Sequence, residues 1–424
     1  MNFAKITLLS GMLTLLRLLC GFFISKVIAI YTGPSGMANL GQLQNLITFI
    51  NGFVSSQVSQ GINRYSSEYK QNYDEAKYYW RAAVKLSSIA CFFIIFIGVS
   101  FSPLISNYLF NNEVYFWIII TALSVVPLNV INNIFLGVLN GLGDHNKFFL
   151  ANACTILSSV ISMVLLVYYF GLVGALISAA INNAISGLLL IIIVRKCEWF
   201  KLTYWFGAVS SKHTKEMRNY FLMGVIGAVT GPISLICVRS IISSSLSQEY
   251  AGYWQAVFKI SEAYLAVLTT ALTVYYFPKT AAAKTIDEYL STLKIGGMVV
   301  VPCAIIFSCI IFFGKDIIIH ILFSQEFIQA RTLFLYQNVG DFFRISSWLF
   351  ATILLAKGYF KINAILEIIF SLLFPLLTKL FIPEFGFPGV SLAYLVTYFL
   401  YFLVAIAIYT LHLNKLRAVN EFGL

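Results

Sequence analysis

Apolar segments of about 20 residues or more recur along the whole chain, and this feature restricts its fold most strongly. A helix that crosses a bilayer needs about 20 mostly apolar residues, so each segment is long enough to span. The pattern predicts an all-α polytopic membrane protein with about twelve transmembrane helices. The predicted spans are residues 5–31, 37–63, 80–108, 114–139, 147–170, 172–194, 218–245, 250–278, 293–314, 330–356, 360–382 and 388–413.

The chain has too few polar residues to cover a soluble fold of its size. Only 11% of its 424 residues are charged and 59% are hydrophobic, whereas an ordinary soluble domain is about 25% charged. This composition excludes a soluble enzyme, a disordered protein and a disulfide scaffold. The seven cysteines and four histidines have no metal-ligand spacing, so we expect neither a metal site nor a cofactor.

The distribution of positive charge predicts the orientation in the membrane. A net charge of +11 would suggest a nucleic-acid partner in a soluble protein, but here we expect none. Two basic segments, 64–85 and 195–218, fall on the same side of a twelve-helix topology. The other side holds only Lys315, Arg331 and Lys379. By the positive-inside rule, both termini are predicted to be cytoplasmic.

The two halves of the chain contain a weak internal repeat. Lys26 and Arg239 are 213 residues apart, as are Gln42 and Gln255. The repeat predicts two six-helix lobes that insert in the same orientation, related by a pseudo-twofold axis along the membrane normal. Two further motifs recur: Leu109-Phe110-x-x-Glu113 at Leu322-Phe323-x-x-Glu326, and Gly171-x-x-Gly174 at Gly386-x-x-Gly389.

The repeat also predicts the domain organisation. Residues 1–200 are expected to form the N-terminal lobe and residues 218–424 the C-terminal lobe. Residues 201–217, within the second basic segment, are expected to form a cytoplasmic linker. We expect substrate to bind between the lobes, as in transporters built from parallel repeats.

Several short motifs resemble the Wzx-type flippases of enterobacteria. These proteins belong to the polysaccharide transporter family, within the superfamily of multidrug, oligosaccharidyl-lipid and polysaccharide exporters. The resemblance covers nearly the whole chain, and its most specific part lies in the eighth span. The motifs are Gly252-Tyr253-Trp254-Gln255, Ile260-Ser261-Glu262-Ala263-Tyr264, Val339-Gly340-Asp341 with Arg344, and Gly33-Pro34-Ser35-Gly36.

The resemblance implies a function in surface-polysaccharide synthesis. Its substrate would be an oligosaccharide linked to undecaprenyl diphosphate, such as an O-antigen or common-antigen repeat unit. The chain would move it from the cytoplasmic to the periplasmic leaflet of the bacterial inner membrane by alternating access, without catalysis. The resemblance further implies a cationic cavity between the lobes and a monomeric functional unit. An O-antigen polymerase and a chain-length regulator are candidate partners.

Five basic residues within the predicted spans remain after the others are counted on one side of the membrane or the other. A cation at the bilayer centre costs roughly 2.5–3.5 kcal/mol, so these side chains are expected to face water, a partner or the interface. We interpret them as a cationic cavity that binds the substrate diphosphate. The alternatives are neutralisation by nearby acids, or extension of the two outermost side chains, Lys26 and Arg239, to the membrane surface. The five are Arg17, Lys26, Arg239, Lys259 and Arg344.

Three acids within the spans, Glu262, Asp341 and Glu367, are candidates for coupling transport to H⁺ or Na⁺. Lys259 precedes Glu262 by three residues, and Asp341 precedes Arg344 by three, so each pair shares a helix face. Each pair is therefore either a self-neutralising structural pair or a site that responds to an ion.

The second span carries a polar stripe, and Gln255 in the eighth span is a further polar candidate. Such side chains either form hydrogen bonds between helices or line a cavity for sugar hydroxyls, and both roles are compatible. The candidate lining residues are Gln44, Thr48, Asn51, Ser55 and Gln255.

Two other functions fit the composition less well. A multidrug exporter of the same superfamily would favour an acidic cavity for cationic drugs, whereas five cations stand against three acids here. A membrane-embedded O-antigen polymerase or ligase needs catalytic groups on an outward loop, typically a long one, and the outward loops of this chain are short.

Overall fold

The computed structural model describes residues 3–283, 285–356 and 359–422. Within them the chain is helical almost throughout and contains no strand. The helices are α1 (Phe3–Val54), α2 (Ser56–Glu68), α3 (Tyr73–Ser100), α4 (Ser102–Phe110), α5 (Phe116–Ser124), α6 (Val126–Leu142), α7 (His145–Val194), α8 (Leu202–Trp205), α9 (Ser211–Ser245), α10 (Gln248–Ala271), α11 (Phe277–Ala282), α12 (Ile286–Leu322), α13 (Phe334–Ala356), α14 (Phe360–Phe385) and α15 (Pro388–Phe422).

Two of the longest helices are each divided by a glycine in the left-handed region. Gly33 has φ 63° and ψ −167° inside α1, and Gly171 has φ 53° and ψ −129° inside α7. Glycine is the residue that adopts such φ values without steric penalty. Each kink separates two predicted spans, so α1 and α7 account for four of the twelve.

The remaining predicted spans also coincide with helices. Eight helical stretches of the described residues, α1 and α7 among them, are long and apolar enough to cross a membrane. The spans predicted at 250–278 and 330–356 correspond to α10 and α13, which are not among the eight and carry more polar residues. The prediction of an all-α polytopic membrane protein is confirmed.

The chain divides into two compact units. Unit 1 comprises Met1–Thr32 and Asn39–Ile236, and unit 2 comprises Gly33–Ala38 and Cys237–Leu424. Unit 1 therefore includes the basic segment after α7 and most of α9, while unit 2 includes the short Gly-Pro segment of α1. The expected functional division, with a linker at 201–217, stays a prediction.

The repeat motif with two glycines adopts the same local geometry in both units. Gly386, after α14, has φ 61° and ψ −146°, close to the values at Gly171. A Cβ atom on Gly174 would lie 1.8 Å from a carbonyl oxygen eight residues earlier, and one on Gly389 would lie 2.5 Å from the equivalent oxygen. In each unit the motif turns the chain sharply and lets two backbone segments approach closely.

Candidate substrate and ion sites

A fully buried carboxylate, Asp341 on α13, lies at the centre of a polar network in unit 2. The Tyr264 hydroxyl from α10 donates to one carboxylate oxygen at 2.6 Å, and the Tyr394 hydroxyl from α15 donates to the other at 2.7 Å. A buried charged group is costly unless such partners surround it. Asp341 therefore joins three transmembrane helices through two hydroxyl groups.

The close approach of α15 to α13 depends on Gly340. A Cβ atom at this position would lie 2.5 Å from a ring carbon of Tyr394. The Tyr394 ring also makes edge-on contacts with Phe258 and Phe374, and its exposed fraction is 1%. These contacts hold the Tyr394 hydroxyl between the carboxylate of Asp341 and the guanidinium described next.

Arg344, one turn after Asp341, pairs with Glu262 on α10. Its Nη1 atom lies 2.5 Å from a carboxylate oxygen of Glu262 and donates to the Tyr394 hydroxyl at 3.2 Å. The guanidinium also lies over the Tyr398 ring, 5.3 Å from its centre. Tyr394 thus accepts from Arg344 and donates to Asp341, which links the two charged groups in one chain of hydrogen bonds.

Of the two alternatives for these pairs, neutralisation within a single helix is not what the structure shows. Glu262 bonds to Arg344 rather than to Lys259, and Asp341 bonds to tyrosines rather than to Arg344. The physical reason is reach. The long arginine side chain extends to a neighbouring helix, whereas the short aspartate side chain contacts the hydroxyls packed beside it. Lys259, half-buried on α10, forms no ion pair within the part of the chain that the structure describes.

Arg239 on α9 is fully buried within unit 2, with an exposed fraction of 1%. Its guanidinium lies over the Trp254 ring, 5.4 Å from the centre, and donates to Oε1 of Gln255. The structure therefore brings together two predicted site residues, Arg239 and Gln255. Burial excludes the alternative that Arg239 extends to the membrane surface.

The other charged candidates lie elsewhere. Arg17 is exposed and Lys26 is half-buried, both on α1. Glu367 is half-buried on α14 and accepts a hydrogen bond from Asn363 at 3.0 Å, one turn earlier on the same helix. A role for these residues in substrate or ion binding stays a prediction.

Part of the polar stripe forms hydrogen bonds between helices of unit 1. Asn129 on α6 donates to Asn51 at 2.5 Å, and Asn133 donates to Ser55 at 2.7 Å. Gly137 brings α6 close, since a Cβ atom there would lie 2.8 Å from a backbone oxygen of α2. For Asn51 and Ser55 the packing role is therefore present.

The N-terminal part of the stripe, formed by Gln44 and Thr48, differs. Thr48 is exposed and donates to the carbonyl of Gln44 at 2.8 Å, within its own helix. Gln44 is half-buried. These two side chains remain the better candidates for a lining that meets sugar hydroxyls.

A polar pocket of about 650 Å³ lies between α2 and α9 in unit 1. Arg64 donates to the Tyr220 hydroxyl at 2.6 Å, and this hydrogen bond raises the pKa of Arg64 above its usual value. The sequence interpretation counted Arg64 only as a topology charge and missed the pocket. Its lining residues are Gln60, Asn63, Arg64, Ser67, Glu68 and Tyr220.

Sequence reasoning also missed Tyr264 and Tyr394 as partners of Asp341. Tyr264 stood inside one of the motifs that carry the resemblance, but its hydroxyl was given no role. A buried tyrosine hydroxyl usually has a hydrogen-bond partner. A tyrosine inside an apolar helix is therefore a sequence signal for a partner of a buried acid.

Comparison with known proteins gives matches along most of the chain. The model of a family described as polysaccharide biosynthesis protein matches residues 3–284. The Lipid III flippase of Escherichia coli (strain K12) is 26% identical over 425 residues, covering 97% of this chain and 99% of the relative, and the Lipid III flippase of Shigella flexneri gives the same values.

Among solved structures, an inward-facing multidrug resistance MATE family transporter of the MOP superfamily superposes with a TM-score of 0.77 at 15% identity, covering 95% of this chain and 96% of the other. The outward-facing form of such a transporter gives a TM-score of 0.70 at 14% identity, with 98% and 96% covered. At this identity the similarity shows a common fold and no more.

Proposed function

The chain belongs to the polysaccharide biosynthesis protein family, and from this premise we propose that it is a flippase for a lipid-linked oligosaccharide. The substrate is an oligosaccharide on undecaprenyl diphosphate. The protein moves it from the cytoplasmic to the periplasmic leaflet of the bacterial inner membrane by alternating access. No bond of the substrate is made or broken in this step.

The similarity to the Lipid III flippases carries this proposal, because it extends over 97% of this chain and 99% of the relative. Two proteins that match from end to end share their helices and loops rather than one module. The similarity to MATE transporters is limited to the fold at 15% identity, so it does not favour drug export over oligosaccharide transport.

The charged residues of the spans suit an anionic, glycosylated substrate. Lys259, half-buried and without an ion pair among the described residues, has the charge to contact a diphosphate. In unit 1, the amides and hydroxyls beside Arg64 form a surface suited to sugar hydroxyls. Arg17, Lys26 and Arg344 complete the proposed set of cations that contact the substrate, and Arg239, buried over the Trp254 ring, supports this set from within unit 2.

Further parts of the proposal concern assembly and energy. We place both termini in the cytoplasm and expect the monomer to be the functional unit. H⁺ or Na⁺ binding at an acid of the spans would reset the empty carrier. An O-antigen polymerase and a chain-length regulator would act on the flipped substrate.

The test is the fate of the substrate in a strain that lacks the gene. We expect undecaprenyl-linked oligosaccharide to accumulate on the cytoplasmic leaflet and surface glycan to disappear, with both restored by the wild-type chain. A multidrug exporter would instead leave the glycan unchanged and alter drug susceptibility. A polymerase or ligase would leave oligosaccharide accumulating on the periplasmic leaflet.

A further inference from the structure

An apolar cavity of about 570 Å³ lies in unit 1, among α3, α6, α7 and residues 200–206. It shares no residue with the polar network or with the polar pocket. Apart from the hydroxyl of Ser88, its lining side chains are apolar or aromatic, and they include Val84, Ile131, Ile134 and Phe206. Its volume lies within the range of about 300–1,000 Å³ that is typical of ligand-binding pockets.

One wall of the cavity is held in place by specific contacts. Trp205 stacks on Trp80, with 5.2 Å between ring centres, and its indole N–H donates to the carbonyl of Trp199 at 3.0 Å. Arg81 donates to the carbonyl of Thr203 at 2.5 Å. The segment after α7 is therefore held against α3 by contacts of its aromatic rings and of its backbone. These contacts keep the cavity open.

The cavity opens at the protein surface beside α3, which is long and apolar enough to cross a membrane. Two of its lining side chains, Phe92 and Phe206, have exposed fractions of 66% and 64%, and Ser88 beside them is also exposed. Water does not fill an apolar space of this kind, because it finds too few hydrogen-bond partners there. An empty space forfeits the dispersion contacts of its lining. A hydrocarbon chain from the surrounding lipid satisfies both conditions.

Two lysines stand beside the cavity lining. Lys85 lies next to Val84 and one turn before Ser88 on α3, and Lys201 lies between the lining residues Phe200 and Leu202. Both are exposed, and neither forms an ion pair within the described ranges. Basic side chains beside an apolar surface at the membrane boundary attract anionic lipid headgroups.

We propose that this cavity binds one acyl chain of an anionic phospholipid of the bilayer, with the lipid phosphate against Lys85 and Lys201. The apolar lining selects the chain, and the two lysines select the charge. This site is independent of the proposed transport function, since it uses none of the residues assigned to the substrate. The bound lipid would brace the segment after α7 against α3.

The experiment measures lipid that remains with the full-length chain after purification in mild detergent, by native mass spectrometry and by extraction. We expect about one phospholipid per wild-type protein. Each buried methylene contributes about a fourfold factor in affinity, so Ile131→Trp, which fills the cavity, should reduce the retained lipid more than tenfold. Ile161→Trp, on the exposed face of α7 outside the cavity, should not. Ser88→Phe is a second filling variant at an exposed position.

The headgroup is tested with a paired substitution. Lys85→Gln with Lys201→Gln should shift the retained lipid from anionic to zwitterionic, whereas Lys70→Gln with Lys294→Gln, both at exposed positions, should leave it anionic. Equal retention by both filling variants and the wild type would overturn the proposal, as would a wild type that retains no lipid. Recovery of a polyprenyl phosphate in place of a phospholipid would also overturn it.

Discussion

The guanidinium of Arg344 lies 2.5 Å from the carboxylate of Glu262, on a different helix of unit 2. The acid one turn away on its own helix, Asp341, is instead enclosed by tyrosine hydroxyls. The exposed fractions of the two paired side chains are 26% for Arg344 and 46% for Glu262. Because both members of this ion pair are partly exposed, the pair can separate during a transport cycle. The fully buried carboxylate of Asp341 instead keeps its contacts with the helices around it.

The coupling between Arg344 and Glu262 is measurable by a double-mutant cycle. We expect Arg344→Gln and Glu262→Gln each to lower the rate of flipping in proteoliposomes, and the double variant to be less impaired than the two single losses predict. The expected coupling is about 1 kcal/mol, because half-open ion pairs are worth little more than that. Additive losses would show that the pair does not act as a unit. Asp74→Asn with Lys77→Gln, an exposed ion pair on α3, is the matched control.

Removing the charge of Arg239 on α9 and removing that of Lys259 on α10 should have different effects. Arg239 is buried over the Trp254 ring, so Arg239→Gln is expected to destabilise unit 2 by at least about 2 kcal/mol and lower the amount of protein in the membrane. Lys259 has no ion pair among the described residues, so Lys259→Gln should keep the protein level and abolish glycan display. Immunoblots of membranes beside glycan gels separate the two effects. Full display with Lys259→Gln would remove Lys259 from the proposed substrate site.

The helices were predictable because long apolar segments are a local signal. Apolar length alone separated the spans on either side of Gly33 and of Gly171, where the structure places the kinks. The pairing of Arg344 was not predictable, because sequence spacing shows neighbours on one helix but not the helix that packs beside it. The hydroxyl partners of Asp341 were missed because a tyrosine within an apolar run reads as an aromatic core residue.

The glycines of the repeat motif give a test of stability that separates backbone strain from steric overlap. Gly171 has a positive φ, and a Cβ atom added there would have nothing within 4 Å. Gly171→Ala should therefore lower the free energy of unfolding by about 1–2 kcal/mol through backbone strain alone. Gly174→Ala and Gly389→Ala place a methyl group against a backbone carbonyl and should cost about 1–3 kcal/mol or more. Thermal unfolding in detergent measures both. Gly21→Ala, helical and with nothing within 4 Å, is the control and should not destabilise.

The proposed orientation is tested with reporters at two positions. A reporter fused after Leu424, outside the described residues, should be active only as a cytoplasmic fusion. A reporter inserted after Asn111, between α4 and α5, should be active only as a periplasmic one, because an odd number of predicted spans precedes it. The opposite pattern would invert the topology, and the same side for both would refute the even number of spans.

Coupling to an ion is the part of the proposal that depends most on the Asp341 network. While Asp341 is ionised, its two oxygens accept from Tyr264 and Tyr394, and Tyr394 is free to accept from Arg344. A protonated Asp341 would itself donate a hydrogen bond from one of its oxygens. The tyrosine hydroxyl beside that oxygen would then have to turn its own hydrogen elsewhere. A sodium ion would displace the hydroxyl hydrogens in a similar way. Ion binding would therefore alter contacts among α10, α13 and α15, and a ligand shifts a conformational equilibrium only through such a difference.

The measurement is flipping of an undecaprenyl-diphosphate oligosaccharide in proteoliposomes under an imposed pH or sodium gradient. Wild type should respond to one of the two gradients, and Asp341→Asn should transport at a rate that no longer depends on it. Tyr394→Phe keeps every charge but cuts the link between Asp341 and Arg344, so it should weaken the response while Asp316→Asn, at an exposed position on α12, should not. Glu262→Gln tests the partly exposed carboxylate at the other end of this chain of hydrogen bonds. If Asp341→Asn and Glu262→Gln both follow the gradients as wild type does, these carboxylates only hold the helices together and coupling resides in another group.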